Sequence, residues 1–161
     1  MSEQNNTEQQ AQQPVFAIQK IYTRNISLEC PNSPGIFTVE FKPQLEVDLN
    51  VTSEVLEPEM GLFHVVVRGT VTTKVDDHVA FLVEVDQAGI FVIQGYAEQE
   101  THYILGVHCP NILFPYLREA VSELVVRAGF PQLLLEPVNF EVMYAEQMQQ
   151  QAQQEDGQTA Q

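Results

Sequence analysis

Side chains able to do chemistry are few in this sequence and poorly spaced for it. The one suggestive pair is His108 beside Cys109, an imidazole that could draw the proton from a thiol in nucleophilic catalysis. Neighbours along a chain usually point apart, however, and a Cys before Pro at a helix start is more often a small buried residue than a nucleophile. His64, His78, His102 and Cys30 are dispersed, with no CxxC or HExxH spacing to bring metal ligands together. No Gly-rich stretch of the GxxxxGKS, GxxxxGKT or GxGxxG kind offers its backbone to a phosphate. Carboxylates are abundant, but on strand and helix backs they keep a protein soluble and are no sign of acid–base work. An enzyme, a metal and a cofactor are therefore not expected.

Charge narrows the partners. Lys and Arg number 7 against 22 Asp and Glu, a net charge of -15 over 161 residues. The cations Lys20, Arg24, Lys42, Arg68, Lys74, Arg118 and Arg127 are scattered, so neither a nucleic-acid backbone nor an anionic membrane surface is a fitting partner. The first thirteen residues carry no cation and no apolar stretch, unlike a signal or transit peptide. No apolar run approaches the roughly 20 residues of a membrane span. A cytoplasmic protein with free thiols at Cys30 and Cys109 is expected, and there the sequons at Asn5, Asn25 and Asn50 carry no information.

The elements that would position any site follow from periodicity. Residues 1–14 and 149–161 are polar and low in complexity, and are expected to be disordered tails around a single domain over 15–148. From Phe16 to Leu28 the even positions are mostly apolar, interrupted by Lys20 and Arg24, which predicts a long strand with one buried face. After a Pro-rich bend, Leu45, Val47, Leu49 and Val51 alternate with polar residues in a half-buried strand. Leu62 to Val75 forms a third strand, with Gly69 as a bulge, and Asp76-Asp77 turns it into a fourth from Val79 to Asp86. Leu82 sits among polar neighbours on the outer face of that strand.

The period then lengthens to 3.6. Leu113, Leu117, Val121, Leu124 and Val125 form a helical stripe, with Asn111 as cap, Pro115 in the first turn and Gly129 as stop. Residues 97–108 predict a shorter helical piece, and 139–148 a second amphipathic helix. Strands followed by helices give an α+β fold. Phe37, Phe41, Leu133, Leu134, Leu135, Phe140, Met143 and Tyr144 exceed what so small a sheet needs. As a group they predict an apolar groove for another polypeptide.

The block Cys109-Pro-Asn-Ile-Leu-Phe-Pro-Tyr-Leu-Arg-Glu119 resembles the SecB family of bacterial protein-export chaperones, as do Phe130-Pro-Gln-Leu133, Pro137-Val-Asn-Phe140, Gly89-Ile-Phe91 and Ala80-Phe-Leu-Val-Glu-Val85. The resemblance implies a four-stranded antiparallel sheet with two main helices per subunit, assembled as a homotetrameric dimer of dimers, and an ATP-independent holdase that binds unfolded preproteins and delivers them to the SecA motor ATPase. By motif, it assigns motor binding to Asn25, Glu29, Leu82 and Glu84, with Asn25 where the family often has Asp. It assigns the tetramer interface to Val83, Val85 and Gln87. The peptide-binding groove falls to Phe41, Leu45, Val47 and Leu49, with Phe140, Met143 and Tyr144. Residues 152–161 lack the basic or histidine residues with which the family's tail docks on the motor. A related chaperone serving another system, such as a toxin–antitoxin module, is the alternative.

Overall fold

A computed structural model describes residues 13–158. Of the expected N-terminal tail, residues 1–12 lie outside the described residues, as do 159–161 at the other end.

Four strands form one antiparallel sheet in the order β1-β4-β3-β2: β1 Val15–Glu29, β2 Gln44–Glu57, β3 Leu62–Val75 and β4 His78–Gln94. β1 and β2 follow each other in the chain but lie at opposite edges, so residues 30–43 cross one end of the sheet. β3 and β4 join as a tight hairpin in which Asp76 and Asp77 both adopt positive φ, 49° and 63°. That left-handed pair matches the right-handed twist of the flanking strands.

β1 departs from simple alternation, because its pairing with β4 shifts between Ile18 and Lys20 and again between Thr23 and Asn25. Each bulge inserts one residue, Gln19 and then Arg24, and restores the phase. Phe16, Ile18, Ile21, Thr23, Ile26 and Leu28 therefore share one face, paired with Ile93, Phe91, Gly89, Gln87, Val85 and Val83. Lys20 and Tyr22, even-numbered but not on that face, pair with Ile90 and Ala88 on the other. The cationic interruptions of the sequence pattern thus coincide with real irregularities of the strand. Gly69, expected as a bulge, instead pairs regularly with Leu49 and Val85. Its need for hydrogen is steric, since a Cβ there would meet Leu117 Cδ2 at 3.0 Å.

One helix covers the middle of the sheet. It begins at α1, Glu98–Tyr103, widens through a π-turn over Ile104–His108 and continues as α2, Cys109–Arg127. Asn111 is therefore interior and no cap, and Pro115 also lies inside the helix. The wide turn has a local cause: Pro110 has no N–H to offer the Gly106 carbonyl and its ring would crowd it. The Cys109 N–H bonds instead to Ile104 O, five residues back. Leu113, Leu117, Val121 and Val125 are fully enclosed against Val65, Val67, Val71, Val83, Val85 and Phe91. Each enclosed leucine contributes roughly 1.5–3 kcal/mol by leaving water.

α3, Phe140–Gln158, runs ten residues beyond the expected end at Met148. Gln, Ala and Glu are good helix formers, and no Gly or Pro interrupts them before Gly157. Its first turns are packed against the domain: Phe140 is buried and Met143 and Tyr144 half-buried, whereas the described side chains beyond them are exposed.

Candidate polypeptide groove and outer sheet face

The long helix lies over β3 and β4 and leaves the same face of β2 uncovered. Pairing with Thr73, Val71, Gly69, Val67 and Phe63 puts Leu45, Val47, Leu49, Val51 and Val55 on that face. A free edge strand would normally show polar residues there, yet Leu45 and Val55 stand 48% and 53% exposed. Walls rise beside this floor. At one end an open groove of about 580 Å³ is bounded by Val51, Val55 and Phe63, by Thr101, His102 and Leu105 of the first helical turns, and by Met143, Tyr144 and Met148 of α3. At the other, Phe37, Phe41 and Phe81 surround Phe130, with ring centroids 5.0, 5.7 and 4.9 Å from it. The floor of β2 that joins them, from Leu45 to Val55, covers about 33 Å at roughly 3.3 Å per residue.

The expected groove residues are thus brought to one side of the molecule in two groups, linked by β2. Phe41 and Leu45 lie at the aromatic end, Val47 and Leu49 along the floor, Met143 and Tyr144 at the α3 end. Phe140 borders the groove but is 1% exposed, so most of it is core. Of the surplus apolar residues, Leu135 is also buried while Phe37 and Leu134 remain exposed. Val51 and Val55 line the groove and Phe130 centres the aromatic end, in addition to the residues assigned by the resemblance. The apolar positions of β2 break at Ser53 and resume at Val55, which is its signal in the sequence.

The opposite, outer face gathers another set. Glu29 pairs with Leu82, Ser27 with Glu84 and Asn25 with Asp86, so Asn25, Glu29, Leu82 and Glu84 form one patch across β1 and β4. Asp86, which the sequence marks only as the end of the fourth strand, organises it. Its carboxylate is 1% exposed and accepts from Arg68 Nε at 2.6 Å, from Arg68 Nη2 at 3.0 Å and from Arg24 Nη2 at 3.0 Å. These bonds, Arg68's foremost, hold the carboxyl below the usual range against the opposing effect of burial, and the Arg68 guanidinium is pushed up in turn. Arg68 also reaches Glu84 at 3.6 Å. Beside this network the Tyr22 hydroxyl meets His64 Nε2 at 2.7 Å, and His64 Nδ1 meets Glu54 at 3.2 Å.

Val83, Val85 and Gln87 face the long helix of their own subunit, with Val83 and Val85 fully buried. Gln87 accepts from Thr23 Oγ1 at 3.2 Å and donates to the Tyr22 carbonyl at 3.1 Å. Their side chains do not reach the outer surface, so any bearing on assembly passes through α2. His108 and Cys109 do point apart: His108 is exposed, whereas Cys109 is fully buried and its thiol is pushed up to about 12 by desolvation. Among the described residues no helix is long and apolar enough to cross a membrane.

Sheet, helices and groove define a small α+β protein with one helix-clad sheet face and an open apolar floor beside it. A solved structure of this architecture is the SecB-like chaperone of Mycobacterium tuberculosis bound to a peptide from an antitoxin, with a TM-score of 0.65 over 77% of this chain and 91% of that one at 16% identity. In sequence, residues 9–151 match the family described as preprotein translocase subunit SecB. The protein-export protein SecB of Hydrogenovibrio crunogenus is 65% identical over 94% of this chain and 97% of its own length, and that of Methylococcus capsulatus 49% identical over 96% of each. This chain belongs to the SecB family.

Proposed function

We propose that the chain is a protein-export chaperone, an ATP-independent holdase that binds unfolded preproteins in the cytoplasm and delivers them to the SecA motor. The observation that carries this reading is the open face of β2, a mostly apolar floor about 33 Å long from Leu45 to Val55 with walls at both ends. An extended client of about a dozen residues would lay alternate side chains on it. Binding the unfolded chain and not its native state delays folding by mass action alone, so no chemical step is required. The net charge of -15 would draw cationic client segments and raise the encounter rate.

Asn25, Glu29, Leu82 and Glu84 are the proposed motor contact, a patch on the face away from the client in which Asn25 and Glu29 are exposed and Leu82 and Glu84 half-buried. Asp86 fixes Arg68, and through it Glu84 at 3.6 Å, so that this carboxylate of the patch is held in place before a partner arrives. Self-assembly as a dimer of dimers is proposed to use the uncovered flank beside α2, where Ile18, Ile26, Tyr116 and Val126 are exposed. Val83, Val85 and Gln87 would support it by seating α2. The likeness to export proteins over nearly the whole chain favours this reading over service to a toxin–antitoxin module.

Native mass spectrometry with an unfolded preprotein and no nucleotide tests the proposal: tetramers carrying client are expected, and failure to bind the client would end it. Calorimetry with Glu29→Lys and Glu84→Lys tests the outer face. Motor affinity should fall while client affinity holds, and unchanged motor affinity would remove the assignment.

A further inference from the structure

A second recess lies on the flank of α1 turned away from the groove. Glu98, Thr101, His102 and Leu105 border the groove, whereas Gln99, Glu100, Tyr103 and Ile104, with Tyr96 and His108, line an open recess of about 390 Å³. Two aromatic rings, an apolar floor and a carboxylate meet here, with no Lys or Arg. Tyr103 is fixed on three sides. Its ring stands edge-on to His108 at 5.3 Å and to Tyr144 at 5.8 Å, and its hydroxyl donates to Glu141 Oε1 at 3.0 Å. Glu100 is held by the Ala97 N–H at 3.3 Å. Ring and charge are therefore set before any guest arrives, which keeps the ordering cost small. The faces of tyrosine rings attract cations. Glu98 and Glu100 in the first helical turn offset the positive helix end that would otherwise repel one.

We propose that this recess takes the cationic side chain, arginine or lysine, of an extended client polypeptide. The inference rests on the holdase reading, and continuity with the groove supports it: Tyr144, edge-on to Tyr103, lines the groove itself. A helix is about 10 Å across, so three or four extended residues at roughly 3.3 Å each carry a chain from one flank to the other. The recess would then select clients in which a basic residue lies a few positions from an apolar stretch.

The test uses the full chain and two peptides with one apolar segment, flanked in the first by arginine and in the second by citrulline, which has the same shape without the charge. Calorimetry should find the arginine peptide bound about three- to tenfold more tightly. That preference should shrink to less than about twofold in Glu100→Gln and in Tyr103→Leu. It should survive in Tyr103→Phe, which keeps the ring, and in Glu123→Gln, which removes an equal charge elsewhere. Citrulline-peptide affinity should be the same in all. Equal binding of the two peptides by the wild type, or a preference that persists in both Glu100→Gln and Tyr103→Leu, overturns the recess and leaves the groove standing. Binding of neither peptide overturns both.

Discussion

Gly106 lies in the π-turn where the start of α3 is seated, and Gly106→Ala probes that seat directly. A Cβ at this position would lie 2.5 Å from Cδ2 and 2.9 Å from Cε2 of Tyr144, whereas ordinary contact begins near 3.4 Å. The ring must therefore retreat by roughly 1 Å, an overpacking that costs about 1–3 kcal/mol. Alanine returns about 1 kcal/mol of helix propensity, which leaves a net loss between about 0 and 2 kcal/mol. A double-mutant cycle separates the opposed effects. Tyr144→Ala alone should cost about 1–3 kcal/mol for a half-buried ring. The double variant, free of the clash, should be more stable than the sum of the singles by about 1–3 kcal/mol. Gly157→Ala, where nothing lies within 4 Å of the added carbon, reports the propensity gain alone. Urea unfolding of all five proteins gives the energies, and calorimetry with an apolar peptide gives the functional consequence. Because Tyr144 lines the groove, Gly106→Ala should also weaken peptide binding severalfold. Additivity within about 0.5 kcal/mol, with peptide affinity unchanged, would refute the seating of α3 on the π-turn.

Asp86→Asn should lower stability at neutral pH by about 1–3 kcal/mol, since two guanidinium groups lose their shared anion. The Asp86 carboxyl is depressed in the folded state, so its stabilisation is full above the unfolded value near 3.9 and disappears as pH falls through the folded one. Denaturation below about pH 4 should accordingly weaken the wild type more steeply than Asp86→Asn, and parallel curves would contradict the ion-pair account. Val83→Asp places an unpaired charge in the subunit's own core and should destabilise the fold by several kcal/mol. A clean tetramer-to-dimer conversion with unaltered unfolding would show that the residue meets a partner instead. Thiol labelling at pH 8 should modify the half-buried Cys30 slowly and leave Cys109 untouched until denaturant is added, both thiols being pushed up by burial.

Periodicity carries far in this chain wherever a residue's fate depends on its near neighbours. Leu45 to Val51 alternate because one strand face is apolar, and Leu113 to Val125 recur at helical spacing because one stripe meets the sheet. The Asp76-Asp77 hairpin needs only local turn chemistry. What stayed hidden depends on distant pairing. Nothing local says that Gln19 and Arg24 are supernumerary, because the phase they restore is that of β4. Gly69 looks like an irregularity until Leu117, 48 positions later, is laid across it. Asp86 becomes the hub of the outer face only when β1 and β3 flank β4 and bring Arg24 and Arg68 together. The groove belongs to the same kind. Leu45 and Val47 read as half-buried, and only the position of α2 decides that the half in question stays open.

The two extra residues of β1 also bear on how the molecule resists uncontrolled polymerisation. An outermost strand of this length would be a template along which foreign chains could stack into fibrils. With register shifts after Ile18 and after Thr23, its pairing is regular only over 15–18, 20–23 and 25–29. A stranger approaching that border finds three short runs of regular pairing in place of one long one, while the apolar floor lies on side chains along the opposite border.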